Sequence, residues 1–237
     1  YEYNRSIAPN GGGMQRKNMR NTCPNGADGI DPNRNYDYMW GLDDQGSSSD
    51  PCNETYRGSS AFSEPETQAV RDFIEQKDFT IAMNYHSYSN LLIYPFGYSY
   101  ENPMNTDDLN TFIEYAQDMT QYNNYEWGTG TELLYPVNGE ACDWMYGVHG
   151  IFAYTPEVGG NSDGFWPSSN RIVPLAEENL YPNIRTALYA GALISSELSI
   201  EEGPYLGGDS YEINVLLNNI GLSSSLGITT LEFISDD

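Results

Sequence analysis

Histidine and cysteine are scarce in this chain: 2 His and 3 Cys in 237 residues. Cys23, Cys52 and Cys142 form no CxxC pair, which argues against a cysteine-built zinc site. Positive charge is equally sparse. Lys and Arg number 10 against 34 Asp and Glu, for a net charge of −24. Such a surface repels phosphate backbones, so no nucleic-acid partner is expected. It suits salty or extracellular surroundings. No apolar run is long enough to cross a bilayer, so no membrane span is expected. The chain starts at Tyr1 with no visible signal peptide, and is read as processed or as an excerpt. What is plentiful is aromatic surface: 20 Tyr, and aromatics at 14%. A real core is therefore within reach and wholesale disorder is excluded. The length suits one large domain, or one domain and part of another.

The chain is organised around residues 79–98. Phe79 to Tyr85 reads as a strand buried on both faces, and it ends at His86. A second apolar run, Leu91 to Tyr94, stops at Pro95 and Gly97. A helix is expected from Ser63 as N-cap, with Pro65 and Glu66 in its first turn. Another is expected over 106–121, with Leu109, Phe112, Ile113 and Ala116 inward. A short one over Ala141–Val148 closes at His149 and Gly150. Ile151 to Thr155 reads as a buried strand that delivers Pro156 and Glu157 to its end. A long helix is expected within 169–196, with Leu175, Leu180, Ile184, Leu188, Ala192 and Ile194 as core positions. Residues 123–140 show no clean period and read as a loop.

Alternating strands and helices predict a three-layer α/β/α fold with a mixed central sheet. That domain is expected to cover residues 1–196. Residues 197–237 lose helical period, and Tyr211–Leu217 and Ile228–Ile234 look like strands. They read as a partial β-rich segment, the start of an appended β-sandwich-like domain.

Cys23 and Cys52 flank a Gly/Asn/Asp/Ser-rich stretch. A bridge there would close a loop of about 30 residues, worth roughly 3–4 kcal/mol on the chain-entropy model, and would imply an oxidising compartment. Three unrelated buried thiols fit the spacing as well. His86 and Glu157 both end buried strands, where open α/β sheets place ligands. Arg16 and Asn33-Arg34 add donors that match a carboxylate. An imidazole, a carboxylate base and a cation for a developing oxyanion are the parts of metal-assisted hydrolysis.

Taken in order, these residues resemble the zinc metallocarboxypeptidases of the carboxypeptidase A/B type. The matching stretches are Arg16-Lys17, Gly29 to Tyr36, Ser48 to Gly58, Phe62 to Thr67, His86 to Leu91, Tyr94 to Tyr98, and Tyr154 to Glu157. The resemblance covers roughly residues 1–195. It implies that His86 is one ligand of a Zn2+ ion and that Glu157 is the general base. Arg16 corresponds to the residue that polarises the scissile carbonyl. Asn33 and Arg34 correspond to the clamp on the substrate's terminal carboxylate, and Tyr135 to the flexible lid. Cys142 falls at the position that sets side-chain preference; it is neither acidic nor large, which suits apolar or aromatic side chains. A one-residue shift would put Asp143 there and restore a basic preference. Cys23 and Cys52 resemble a family disulfide.

The family draws its other two zinc ligands from an upstream His-x-x-Glu motif, which is absent from residues 1–237. Two further ligands are thus expected upstream of residue 1, and the 237 residues alone are expected to be inactive. The resemblance implies a secreted, extracellular or periplasmic enzyme that removes C-terminal residues from peptides. The rivals are a non-catalytic peptide C-terminus-binding domain on the same fold, and an amidase acting on cell-wall peptides.

Overall fold

The computed structural model describes residues 15–24, 28–200, 212–225, 227, 229 and 230. Of the strand expected at Tyr211–Leu217, residues 212–217 fall among them; of that expected at Ile228–Ile234, only 229 and 230 do. Four strands build the main sheet: β1 (Ile81–Met83), β2 (Leu91–Tyr94), β3 (Glu126–Thr129) and β4 (Phe152–Glu157). Their order is β1-β4-β2-β3. β1 runs parallel to β4, β2 parallel to β3, and β2 antiparallel to β4. The sheet is therefore mixed, as expected.

Helices cover both faces. They are α1 (Pro65–Glu75), α2 (Thr106–Thr120), α3 (Gly130–Leu133), α4 (Ala141–His149), α5 (Ile172–Glu178) and α6 (Leu180–Tyr189). One core joins Ile74 of α1 and Cys142, Trp144 and Met145 of α4 to Ala153 of β4. The opposite core joins Phe112, Tyr115, Ala116 and Met119 of α2 and Tyr189 of α6 to Leu92, Tyr94 and Tyr154. Ala153 and Tyr154 are neighbours on one strand but belong to different cores, as the two-residue period of a strand demands. Three layers result.

Local chemistry explains several boundaries. Asn105 caps α2 by accepting the Asp108 amide at 2.9 Å, and Asp107 and Asp108 favour that helix end. Thr129 and Glu132 form a capping box on α3, joining side chain and backbone in both directions. Gly150 closes α4 at φ 67°, where a Cβ would be strained.

Other boundaries depart from expectation. The cap of α1 is Glu64, not Ser63, because Ser63 Oγ donates to the Glu64 carboxylate at 2.8 Å. The first strand shrinks to three residues and is only half buried. Residues 123–140 are not all loop, since β3 and α3 lie there. The long helix of 169–196 is instead a 3-10 turn at Ser169–Arg171 followed by α5 and α6. The break falls at Asn179, whose amide nitrogen donates to Tyr125 Oη at 3.1 Å and to the Leu175 carbonyl at 2.9 Å. That twist buries Tyr189 and leaves Leu180, Ile184 and Leu188 exposed. Ile194 starts β5 (Ile194–Ile200), which pairs antiparallel with β6 (Ile213–Asn219) in a separate two-stranded sheet. No helix among the described residues is long and apolar enough to cross a membrane.

Candidate active site

The register of the β1/β4 pair decides the first contact. Ile81 pairs with Phe152 and Met83 with Tyr154. The same register continues past the strand end and sets His86 opposite Glu157. The His86 amide donates to the Pro156 carbonyl at 2.9 Å, and the Val158 amide to the His86 carbonyl at 3.0 Å. On its other side Glu157 pairs with Leu91. Its backbone is thus held between two neighbours, while the two side chains meet with His86 Nδ1 3.6 Å from Glu157 Oε1. The carboxylate is buried and the imidazole about one-third exposed.

A second group forms around Asp31. Its side chain caps the 3-10 turn Pro32–Arg34 by accepting the Asn33 amide at 3.1 Å. Its other oxygen takes the Arg16 guanidinium at 2.7 Å and lies 3.9 Å from that of Arg34. Arg34 is only 3% exposed. It donates Nε–H to the Gly46 carbonyl at 2.5 Å and Nη1–H to the Asn33 carbonyl at 2.8 Å. Asn33 Oδ1 accepts the Ala141 amide at 3.0 Å, which ties the turn to the start of α4. Gly139 completes the seam: a Cβ there would meet the Arg34 carbonyl oxygen at 2.7 Å, and its φ is 72°. Only glycine fits that close approach.

Cys142 sits in the α1/α4 core, its thiol donating to the Ala153 carbonyl at 3.1 Å. Burial, then the nearby Glu140 and Asp143 carboxylates, push that thiol well up, so it stays neutral. Asp143 is buried and its carboxylate accepts the amides of Gly97 and Tyr98. Tyr135 is 47% exposed on the loop between α3 and α4. That loop is pinned next to it by Asn138, which reaches Asp43 at 2.8 Å and Ser47 at 2.6 Å. Cys23 and Cys52 are joined in a disulfide with Cα atoms 5.1 Å apart.

Spacing did not point to Glu140. An acid just before an apolar helix reads as an ordinary helix start, and Glu140 is indeed the α4 N-cap. Yet its carboxyl is buried. Burial pushes its pKa up, while the positive fields of Arg34 and then His86 pull it down and Glu157 opposes them. Glu140 is therefore the residue on which the His86–Glu157 pair and the Arg34 group both act. Asp143 is pushed up further, by burial and then by Glu140.

Among the described residues no three or more His, Cys, Asp or Glu side chains group into a metal site. His86, an imidazole at a strand tip with a carboxylate beside it, has the chemistry of a zinc donor.

A family model described as zinc carboxypeptidase matches residues 1–182. This chain belongs to the zinc carboxypeptidase family. A zinc carboxypeptidase A 1 of Anopheles gambiae is 38% identical over 161 residues, or 64% of this chain and 37% of that protein. Carboxypeptidase B of Bos taurus is 35% identical over 173 residues, or 70% of this chain and 41% of that protein. The structure of bovine thrombin-activatable fibrinolysis inhibitor, solved with a tick carboxypeptidase inhibitor, superposes with TM-score 0.68. It is 28% identical, with 79% of this chain and 65% of that one covered. A carboxypeptidase A from Helicoverpa armigera gives TM-score 0.65 at 25% identity, with 78% of this chain and 48% of that one covered. The zinc carboxypeptidase chain thus spans about two-fifths of the length of the first two relatives.

Proposed function

We propose that the full-length protein is a zinc-dependent carboxypeptidase that hydrolyses the last peptide bond of peptides. The observation that carries this reading is His86 facing Glu157 at 3.6 Å on adjacent strand tips. When bound, zinc supplies a Lewis acid that polarises the carbonyl and lowers the pKa of water. His86 would hold it, together with two donors outside these 237 residues. Glu157 takes a proton from the attacking water and returns it to the leaving amine nitrogen. Its held backbone and buried carboxyl keep that oxygen aimed along one line. Arg16 lies on the Asp31 carboxylate with its guanidinium 43% exposed, so it retains donors for an oxyanion.

Arg34 and Asn33 receive the substrate's terminal carboxylate. Both are anchored through backbone carbonyls and amides, so ordering entropy is already spent before binding. Tyr135 closes over the product side from its exposed loop. Cys142 underlies the side-chain pocket as a small neutral neighbour. The disulfide fits a secreted, extracellular or periplasmic setting. The segment from 197 onward is assigned to an appended β-rich domain.

Glu157→Gln in the zinc-loaded full-length protein is the test. It should lower kcat/KM for a blocked dipeptide by about 10²–10⁴-fold while the peptide still binds by calorimetry. Unchanged turnover would refute the base assignment. The rival reading, a binder of peptide C-termini without catalysis, keeps the same Asn33 and Arg34 clamp and needs no zinc; among the described residues no three or more His, Cys, Asp or Glu side chains group into a metal site. Metal analysis of the full-length protein separates the two, since stoichiometric zinc excludes the binder. For the same reason the 237 residues alone should hydrolyse nothing.

A further inference from the structure

We infer that Tyr125 is a positioning residue for the reaction: acting through Gly159, its hydroxyl fixes the strand tips that carry His86 and Glu157. The inference rests on the carboxypeptidase reading above and adds to it a residue that works at one remove from the chemistry.

The two tips leave the sheet as separate segments, and one peptide group ties them together. Gly159 follows Glu157 by two residues. Its carbonyl accepts the Ser89 amide at 2.7 Å and the Asn90 amide at 2.9 Å, just beyond His86. Closer in, the Val158 amide donates to the His86 carbonyl at 3.0 Å. The spacing of imidazole and carboxylate therefore depends on where Gly159 sits. Its φ is 88°, and a Cβ on it would lie 3.1 Å from Asp163 Cβ. Asp163 is not free to give way, because its carboxylate holds Arg171 at 2.7 Å and accepts the Gly160 amide at 3.1 Å. The position needs glycine, and glycine has no side chain with which to anchor itself.

The anchor comes from Tyr125. The Gly159 amide donates to Tyr125 Oη at 3.4 Å. That bond is long, but its acceptor is held: Asn179 Nδ2 donates to the same oxygen at 3.1 Å and to the Leu175 carbonyl at 2.9 Å. Tyr125 and Asn179 are 5% and 4% exposed, so bulk water does not replace a bond lost here. Burial pushes the Tyr125 pKa up, and the hydroxyl stays neutral. The backbone beside Tyr125 closes the circuit. The Glu126 amide donates to the Asn90 carbonyl at 3.0 Å, while the Asn90 amide is already on Gly159. The break between α5 and α6 thereby gains a purpose, since it turns the buried Asn179 amide toward this circuit.

Removing the hydroxyl leaves the Gly159 and Asn179 amides without that acceptor. The Gly159 turn relaxes, the two tips shift against each other, and proton transfer loses alignment. The Arg34 clamp hangs on Gly46, Asp31 and the start of α4 instead, so capture of the terminal carboxylate does not change.

The experiment measures kcat and KM of the zinc-loaded full-length protein on a blocked dipeptide, with a melting curve, for Tyr125→Phe, Asn179→Ala, their double variant and Tyr115→Phe. Tyr115 is the control: it is equally buried, and its hydroxyl donates to the Ile220 carbonyl at 2.7 Å in the α2/α6 core. Tyr125→Phe should lower kcat about fivefold or more with KM within about twofold. Asn179→Ala should act in the same direction, and the double variant should be no slower than Tyr125→Phe, because both act through one bond chain. Tyr115→Phe should lower the melting temperature and leave kcat unchanged. An unchanged kcat in Tyr125→Phe overturns the inference. So does an equal loss in Tyr115→Phe, which reduces the effect to general destabilisation, and so do independent, multiplying losses in the double variant. Should Tyr125→Phe fail to fold, Asn179→Ala against Tyr115→Phe gives the same decision. Absence of turnover in the unaltered protein overturns the carboxypeptidase reading itself, and this inference with it.

Discussion

The two halves of the site are built differently. The Arg34 side is nearly closed: guanidinium, capped turn and α4 start are joined by hydrogen bonds of 2.5–3.1 Å between side chains and backbone. The His86–Glu157 side is looser. Its backbones are laddered, but the side chains stand 3.6 Å apart and the imidazole is open to solvent. The difference is what the proposed roles require. A group that orients a guest works best when immobilised in advance. A group that moves a proton must keep access to two protonation states.

The strongest way to break this contrast is to remove the proton carrier. Glu157→Gln should lower kcat/KM by about 10²–10⁴-fold and leave thermal stability nearly unchanged, read by steady-state kinetics and a melting curve. A large loss of stability would show that the looser side is structural after all. Arg34→Ala should do the opposite, destabilising by on the order of 3 kcal/mol because Asp31 is left buried with less compensation. Denaturant unfolding checks it. A stability change near zero would mean that the clamp side is not prebuilt.

The disulfide bears on the same side, since it ties the irregular segment leading to Asp31 to the loop after Gly46. Replacing Cys23 and Cys52 by Ser should cost roughly 3–4 kcal/mol for a loop of about 30 residues, again by unfolding. It should also raise KM more than it lowers kcat. Equal effects on both would place the bridge outside the clamp. The smallest effect is a control that touches neither half. Gly150→Ala meets no neighbouring atom, so only the strain of φ 67° remains, about 1 kcal/mol. A larger loss would show that α4 bears more of the site than its first turn.

The comparison also shows which parts were legible in residue order. His86 and Glu157 could be placed because each ends an apolar run, and a strand end is a local property. Asn33-Arg34 could be singled out because an amide beside a guanidinium fork is a donor set written in two adjacent residues. Asn179 could not be read as a helix break, because its partner Tyr125 lies 54 positions away. The core positions assigned to 180–188 failed for the same cause: a change of helix direction at Asn179 rotated Tyr189 inward and Ile184 outward. Glu140 was invisible because an acid at a helix start is normally solvated, and its burial depends on Gly97 in a distant loop.

Sequence by itself determined the layer architecture and the chemical type of each candidate group, because strand period and side-chain identity are written in neighbouring residues, and its ordered motifs carried the resemblance to the family. Tertiary structure alone decided which charges share a low-dielectric space. Burial and electrostatic coupling act through space, so the field that joins Glu140 to Arg34, His86 and Glu157 exists only once the sheet has brought their four segments together.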